Sequence, residues 1–217
     1  MDLTIEDFQV LDREIYTFKQ LKERYSADEI DQVKQDYKKH WQKWKKLQQI
    51  VAQSLPSDYH LEKPKIESWT NGWHLRNHFW SAYRDPQHRN QNACLAVLLN
   101  KKQFQVYLMF QHYKSAECNG GSEAYNKLVN LLYEWSQHVD SSDYYIWPQV
   151  EHELVDHLSL TDFLADQKQP EVLLNTLEGR TFQIGKLFFK TTKITDIEEL
   201  TRQSLEELAP LYFALNQ

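Results

Sequence analysis

The alternation of hydrophobic and polar residues predicts helices towards both ends of the chain and strands between them. The segment "SADEIDQVKQDYKKHWQKWKKLQQIVAQSL" opens with a capping box formed by Ser26 and Glu29. Hydrophobic residues then recur every three or four positions, at Ile30, Val33, Tyr37, Trp41, Trp44, Leu47 and Val51. The pattern predicts a long amphipathic helix near residues 26–53, which ends close to Pro56.

Shorter helices are predicted elsewhere from the same kinds of signal. Thr4 and Asp7 indicate a capped helix at the start of the chain, and Ser122 or a neighbour caps another that reaches Trp135. Two short helical segments follow near 159–166 and 170–178, and a final helix begins near Thr195.

The middle of the chain has the pattern of strands. "ACLAVLLN" (93–100) and "QFQVYLMFQHY" (103–113) meet at Lys101 and Lys102, which predicts a hairpin. "DYYIW" (143–147) and "RTFQIGKLFFK" (180–190) predict two more strands, with Gly185 at a bulge or a close backbone approach. Because no internal repeat or linker interrupts these elements, we expect a single α+β domain over residues 1–217, mainly an antiparallel sheet with peripheral helices.

The distribution of charge along the chain bears on which partners the protein can bind. The formal net charge is −6, which disfavours nucleic acid as a partner. Residues 34–149, however, hold 15 Lys and Arg against 10 Asp and Glu. An anionic ligand is consistent with this positive middle, although lysines on a solvated helix face explain it equally well.

The composition also sets expectations about location. No run approaches the ~18 apolar residues of a membrane span, and the acidic start lacks the layout of a signal peptide. Cys94 and Cys118 form no CxxC pair. We therefore expect a cytoplasmic protein with no membrane partner and no cofactor.

Several catalytic motifs are absent or incomplete. "GRTFQIGKL" has one residue too many between its glycines for a phosphate-binding loop, and no GxGxxG or GxSxG occurs. In "HELVDH", His152 and His157 are five residues apart, whereas the zinc helix HExxH needs histidines four apart.

The aromatic stretch "ESWTNGWHLRNHFWSAYRD" (67–85) is the one place where the sequence points to binding. A turn at Asn71-Gly72 followed by an extended strand places Trp73, Phe79 and Tyr83 on a core face. The opposite face then carries His74, Arg76, His78, Trp80 and Arg84.

This opposite face suits a small anionic or base-like ligand. Arg76 and Arg84 would hold an anionic group and Trp80 would stack on a flat body, with Trp69 as a further wall. The structural alternative is that Trp80 packs under a helix while the polar groups lie at the rim of the sheet.

His74 and His78 lie on one face of either a helix or a strand, which permits a shared metal or anion. A zinc site needs three or four ligands, and nothing in the sequence says whether the further ligands come from the other candidates, which are Asp58, His60, Glu67, Asp85, His88 and His112. With a nearby carboxylate, the two histidines support an alternative hypothesis of a metal-dependent or histidine-dependent hydrolase or nuclease.

The order of several segments resembles the YktB-like family of small bacterial proteins. They are "IEDFQVL", "WSAYRDPQHRNQNACLAVLLNKKQFQVYLMF", "FQIGKLFFK" and "LEELAPLYFAL". "IESWTNGWHLRNHFW" stands where that family has a basic arginine-asparagine-proline stretch. The resemblance implies an α+β fold and no particular activity.

A more distant likeness of architecture is to the N-terminal module of the McrB restriction protein. That likeness implies a sensor that flips a modified base into an aromatic pocket, for which Trp69, Trp73, Trp80 and Tyr83 would supply part of the walls.

Three hypotheses therefore stand on the sequence. The first is a non-enzymatic binding module for a small anionic or base-like ligand, and the second is the hydrolase or nuclease. The third is a protein-interaction domain that uses the long lysine-rich helix.

Overall fold

The strands run through the middle of the chain, and most of them form one sheet. The computed structural model describes residues 1–59, 61, 63–114, 116–149, 157–190 and 193–215. Its strands are β1 (Lys65–Ile66), β2 (Thr70–Asn71), β3 (His74–Leu75), β4 (His78–Tyr83), β5 (Ala93–Asn100), β6 (Gln103–Phe110), β7 (Tyr144–Pro148), β8 (Leu158–Ser159) and β9 (Phe182–Phe189). Within these residues, seven strands form an antiparallel sheet in the order β1-β4-β5-β6-β9-β7-β8, and β2 pairs with β3 separately.

The helices lie before, between and after the strands. They are α1 (Ile5–Gln9), α2 (Phe18–Arg24), α3 (Ala27–Ser54), α4 (Ser122–Asn126), α5 (Leu132–Ser136), α6 (Leu160–Ala165), α7 (Gln169–Thr176) and α8 (Ile197–Ala214). None of the described helices is long and apolar enough to cross a membrane. The predicted α+β fold with an antiparallel sheet and peripheral helices is confirmed.

Helix α3 forms where its capping signal predicted. The Ser26 side chain accepts a hydrogen bond from the Glu29 amide, and the Glu29 carboxylate accepts one from the Ser26 amide at 2.8 Å. These two bonds satisfy donors that a helix start leaves without partners. The buried residues of α3 include Tyr37, Trp44 and Val51, so the predicted hydrophobic stripe faces the core.

The sheet has two faces with different surroundings. Helices α3 and α8 contact one of them, which we call the helix face. Alternate residues of the strands, such as Phe79, Val97 and Val106, belong to the large core between the helices and this face. Side chains alternate between faces along a strand, so the residues between them belong to the opposite, second face.

The second face has a smaller apolar cluster of its own. Its large members include Trp80, Tyr107 and Trp147, which are at most 6% exposed. The same cluster contains the small residues Ala82, Cys94 and Ala96 and the larger Leu98, Met109 and Leu187.

Gly185 makes the close backbone approach that the sequence predicted. It pairs with Tyr107 across β6 and β9. A Cβ atom at this position would lie 2.2 Å from the carbonyl oxygen of Val106 and 2.4 Å from the Tyr107 Cβ atom. Only glycine fits there without separating the two strands.

The predicted strand after Asn71-Gly72 is divided in two. Gly72 has a φ of 58°, which supports the predicted turn, but β3 ends at Leu75 and β4 begins at His78. Trp73 lies in this turn and is 82% exposed, so the prediction that it belongs to the core is wrong. Phe79 and Tyr83 are buried on the helix face as predicted.

Candidate functional site

A cavity of about 760 Å³ opens over the second face of the sheet. We call it the second-face cavity. Its floor consists of Trp80, Leu98, Tyr107 and Met109, and its walls and rim are formed by Arg13, Tyr16, Glu67, Asn71, Arg76, Asn77, His78, Asn100, Lys101 and Tyr113. The volume lies in the range typical of sites for small ligands.

Strand pairing brings the floor together from three strands. Trp80 of β4 lies opposite Leu98 of β5, and His78 lies opposite Asn100 near the β5–β6 hairpin. On β6, Tyr107 lies opposite Ala96, and Met109 lies opposite Cys94. Because neighbours along one face of a strand are about 7 Å apart, the floor extends from the hairpin end towards Met109.

The Trp80 indole is fixed within this floor. Its Nε1–H donates a hydrogen bond to the Tyr107 hydroxyl at 3.2 Å. The residue is 6% exposed, and it lines the cavity. It therefore offers a ligand an apolar surface, while its polar atom is already occupied.

Arg76, Glu67 and His78 form a charged group on one wall of the cavity. Arg76 Nη1 lies 2.8 Å from Glu67 Oε2, and His78 Nε2 lies 3.9 Å from the same oxygen. Burial alone would raise the pKa of the Glu67 carboxyl, but His78 and Arg76 outweigh burial and hold the pKa below its ordinary value. Glu67 is therefore a carboxylate near neutral pH, and it offsets the charge of Arg76.

Three of the six predicted binding residues meet in this cavity. Arg76, His78 and Trp80 line it. His74 is exposed on β3, where its backbone pairs with that of Thr17 in an isolated antiparallel β-bridge. Its side chain lines a separate surface hollow. The structure therefore separates His74 from Arg76, His78 and Trp80, which were predicted to share one face.

Trp69 and Arg84 also lie outside the lining of the cavity. The Trp69 ring packs towards the helix face, with its centroid 6.4 Å from that of Tyr37. Arg84 follows β4, and its Nη2 donates to Gln111, whose Nε2 in turn donates to the Tyr113 hydroxyl at 2.7 Å. Arg84 is thus linked to the rim through Gln111 and Tyr113.

Other lining residues were not among the sequence-based candidates. Arg13 comes from the segment between α1 and α2, and Lys101 comes from the β5–β6 hairpin. The alternation of β6 does place Tyr107 and Met109 on one face, which was a signal in the sequence. What the sequence did not supply was the pairing of β4 with β5, which puts Trp80 on the same face.

The described residues do not support a metal centre. Among them, no group of three or more His, Cys, Asp and Glu side chains is arranged to hold a metal ion. His74 and His78 line different cavities, so they do not form the pair that the hydrolase hypothesis requires. His60, and His152 of the rejected zinc motif, lie outside the described residues.

Two other surface cavities provide a comparison. The α5–α8 groove, of about 810 Å³, is lined by Trp135 together with residues such as Arg202 and Glu206. Arg202 and Glu206 form an ion pair with each other. The hairpin hollow, of about 450 Å³, is lined by Trp73, His74, Thr17, Lys19, Gln20 and Glu23. Each of the three cavities thus contains one tryptophan.

Comparison with known proteins places the chain in a family. A protein-family model matches residues 3–215. A protein of Haemophilus influenzae with the name "Uncharacterized protein" is 32% identical over 156 residues, which cover 72% of each chain. The chain therefore belongs to the protein family that this model describes, and the H. influenzae protein is a bacterial relative.

Proposed function

We propose that this chain is a non-enzymatic binding module and that the second-face cavity binds a small anion with a flat apolar body. The observation that carries the proposal is the composition of the cavity. An apolar floor lies beside three permanent cations, Arg13, Arg76 and Lys101, and Glu67 is the one carboxylate among the described lining residues. A few charged groups beside an apolar surface are typical of small-molecule sites.

The floor favours the flat body of such a ligand. Leu98 and Met109 are at most 9% exposed, so they form a nearly closed apolar surface together with Trp80. When a planar ring covers this surface, the apolar area of the ring and that of the floor are both removed from water, which favours binding. Single nucleotides and aromatic acids both belong to this ligand class, whereas the net charge of −6 disfavours duplex nucleic acid.

The experiment is a fluorescence titration of the intact chain with 1-anilinonaphthalene-8-sulfonate, an anionic dye with a flat naphthalene ring whose fluorescence increases in apolar sites. We expect saturable binding with one site per chain. Indole-3-acetate or AMP should compete for it, since each combines a flat ring with an anionic group. Absence of saturable binding, with no stabilisation by either competitor in a thermal-shift assay, would contradict the proposal.

The variant Asn71→Asp tests whether the anion binds in the second-face cavity. Asn71 is exposed and lines the cavity, so the exchange adds one negative charge at nearly constant volume. Two like charges about 6–8 Å apart in a medium of intermediate dielectric repel each other by about 0.5–1.5 kcal/mol. A repulsion of this size weakens the binding of the anion about two- to tenfold. Asn175→Asp adds the same charge on exposed α7 and should leave the affinity unchanged. Equal affinities for the two variants would argue against this site.

Of the two resemblances, only the McrB likeness supports a base-like ligand, and both stay predictions. Membership in the YktB-like group rests on the segments quoted above. A base-like ligand, as the McrB likeness implies, would lie on Trp80. Trp69 packs against the helix-face core and Trp73 is exposed in the turn, so neither would form a wall of the cavity.

A further inference from the structure

We propose that Arg13 supplies the anion-binding charge of the second-face cavity, so that the acidic group of the ligand binds at the end nearest the β5–β6 hairpin. The inference rests on the proposed function and specifies its charged subsite. It also moves that subsite away from Arg76 and Arg84, the two arginines that the aromatic stretch suggested.

The three permanent cations that line the cavity differ in whether a carboxylate balances their charge. Arg76 is paired with Glu67 at 2.8 Å, and Lys101 is paired with Asp12 at 3.0 Å. Arg13 has no carboxylate within 4.0 Å among the described residues. A guanidinium without a carboxylate is the group that gains most from an incoming anion, since its charge is not already compensated.

The backbone at Arg13 is held in place, while its guanidinium is not neutralised by a carboxylate. Its backbone amide donates to the Tyr16 hydroxyl at 3.3 Å, and that hydroxyl donates to the Leu11 carbonyl at 2.7 Å. Leu11 is fully buried, so this segment is anchored in the core. The Arg13 Nε atom is enclosed and has no acceptor, and the same holds for Nε of Arg76 and Arg84, so an anion would bind Arg13 through a terminal nitrogen.

Arg13 lies at the end of the cavity nearest the β5–β6 hairpin. The ion pair between Asp12 and Lys101 joins the segment that carries Arg13 to the β5–β6 hairpin. Met109 pairs with Cys94, six residues along β5 from Asn100, so the opposite end of the floor is about 20 Å away. The apolar floor therefore extends away from the hairpin end, where Arg13 lies, towards Met109, which suits a ligand with an acidic group and a flat body.

The test compares two dyes that differ in one group. N-phenyl-1-naphthylamine has the ring system of 1-anilinonaphthalene-8-sulfonate without the sulfonate. We expect the intact wild-type chain to bind the sulfonate about tenfold or more tightly than the neutral dye. Arg13→Gln should remove most of this preference and leave affinity for the neutral dye unchanged, whereas Arg13→Lys should retain part of it.

Arg84→Gln is the matched control, because Arg84 is also partly buried but does not line the cavity. It should keep the full preference for the sulfonate. A preference that survives in Arg13→Gln, or that is lost equally in Arg84→Gln, would overturn the assignment while dye binding itself still supports the proposed function. If neither dye binds, the proposed function fails first.

The same variants identify the acidic group. The dye can be displaced with 1-naphthoate and with 1-naphthyl phosphate, which carry a carboxylate and a phosphate on the same ring. Tighter competition by the phosphate points to a nucleotide-like ligand, and tighter competition by the carboxylate points to an aromatic acid. Either result supports the assignment when the competitor loses affinity in Arg13→Gln, and overturns it when the competitor does not.

Discussion

Replacing Asp7 by asparagine should destabilise the protein by about 2 kcal/mol or more at neutral pH. Asp7 lies on α1 and is 2% exposed. Its carboxylate accepts hydrogen bonds from the Thr4 amide at 2.9 Å and from Lys43, and contacts His40 Nδ1 at 2.7 Å. The group therefore joins the start of the chain to the long helix α3.

The magnitude follows from the pKa of this carboxyl. Burial alone would raise the pKa, but the hydrogen bonds with His40, Lys43 and Thr4 outweigh burial and lower it from 3.8 to about 2. A shift of that size corresponds to about 2 kcal/mol of stability, since one unit is about 1.4 kcal/mol. Because the folded-state pKa is lowered, the contribution is present above about pH 4 and is lost as the pH falls towards 2.

The assay is urea unfolding followed by tryptophan fluorescence at pH 7, 5 and 3. Asp7→Asn should lower the free energy of unfolding at pH 7 and should lose less stability than the wild type between pH 5 and pH 3. Asp31→Asn is the control, because its ion pair with Lys34 lies on the surface and is worth less than about 1 kcal/mol. Equal stability of Asp7→Asn and the wild type at pH 7, or an unchanged dependence on pH, would refute the reasoning.

Further substitutions test the description of the sheet. Gly185→Ala should lower the free energy of unfolding by more than about 3 kcal/mol, because its Cβ would overlap the neighbouring strand. Gly121→Ala has no atom within 4 Å of its Cβ but replaces the N-cap glycine of α4, so it should cost less than about 1 kcal/mol in the same urea titration. Trp80→Ala should cost about 3–5 kcal/mol and Trp73→Ala close to none, since Trp80 is 6% exposed and Trp73 is 82% exposed. The reverse order in either pair would contradict the close approach at Gly185 or the burial of Trp80.

The sequence predicted those parts of the fold that depend on local signals. The capping box at Ser26, the hairpin at Lys101 and the close approach at Gly185 all depend on residues near one another or on the special geometry of glycine. The placement of Trp73 failed for a local reason too. A tryptophan beside a glycine turn has the hydrophobicity of a core residue, but here the turn projects it from the sheet.

Only part of the candidate site could be predicted from the sequence, because the site is built from segments that are far apart in the chain. Alternation along one strand correctly put His78 and Trp80 on one face. The break after Leu75 separated His74 from them, and no local pattern predicts that break. Arg13 and Glu67 reach the cavity through the packing of the chain start and through the pairing of β1 with β4, which a single sequence does not specify.

The most direct test of the second-face cavity uses the indole N–H resonances, because each of the three large cavities contains one tryptophan. Titration of ¹⁵N-labelled protein with 1-anilinonaphthalene-8-sulfonate should shift the Trp80 indole resonance, which reports on the second-face cavity. The resonances of Trp135 in the α5–α8 groove and Trp73 in the hairpin hollow should stay in place. Shifts confined to Trp135 or Trp73, with Trp80 unchanged, would contradict the assignment of the binding site.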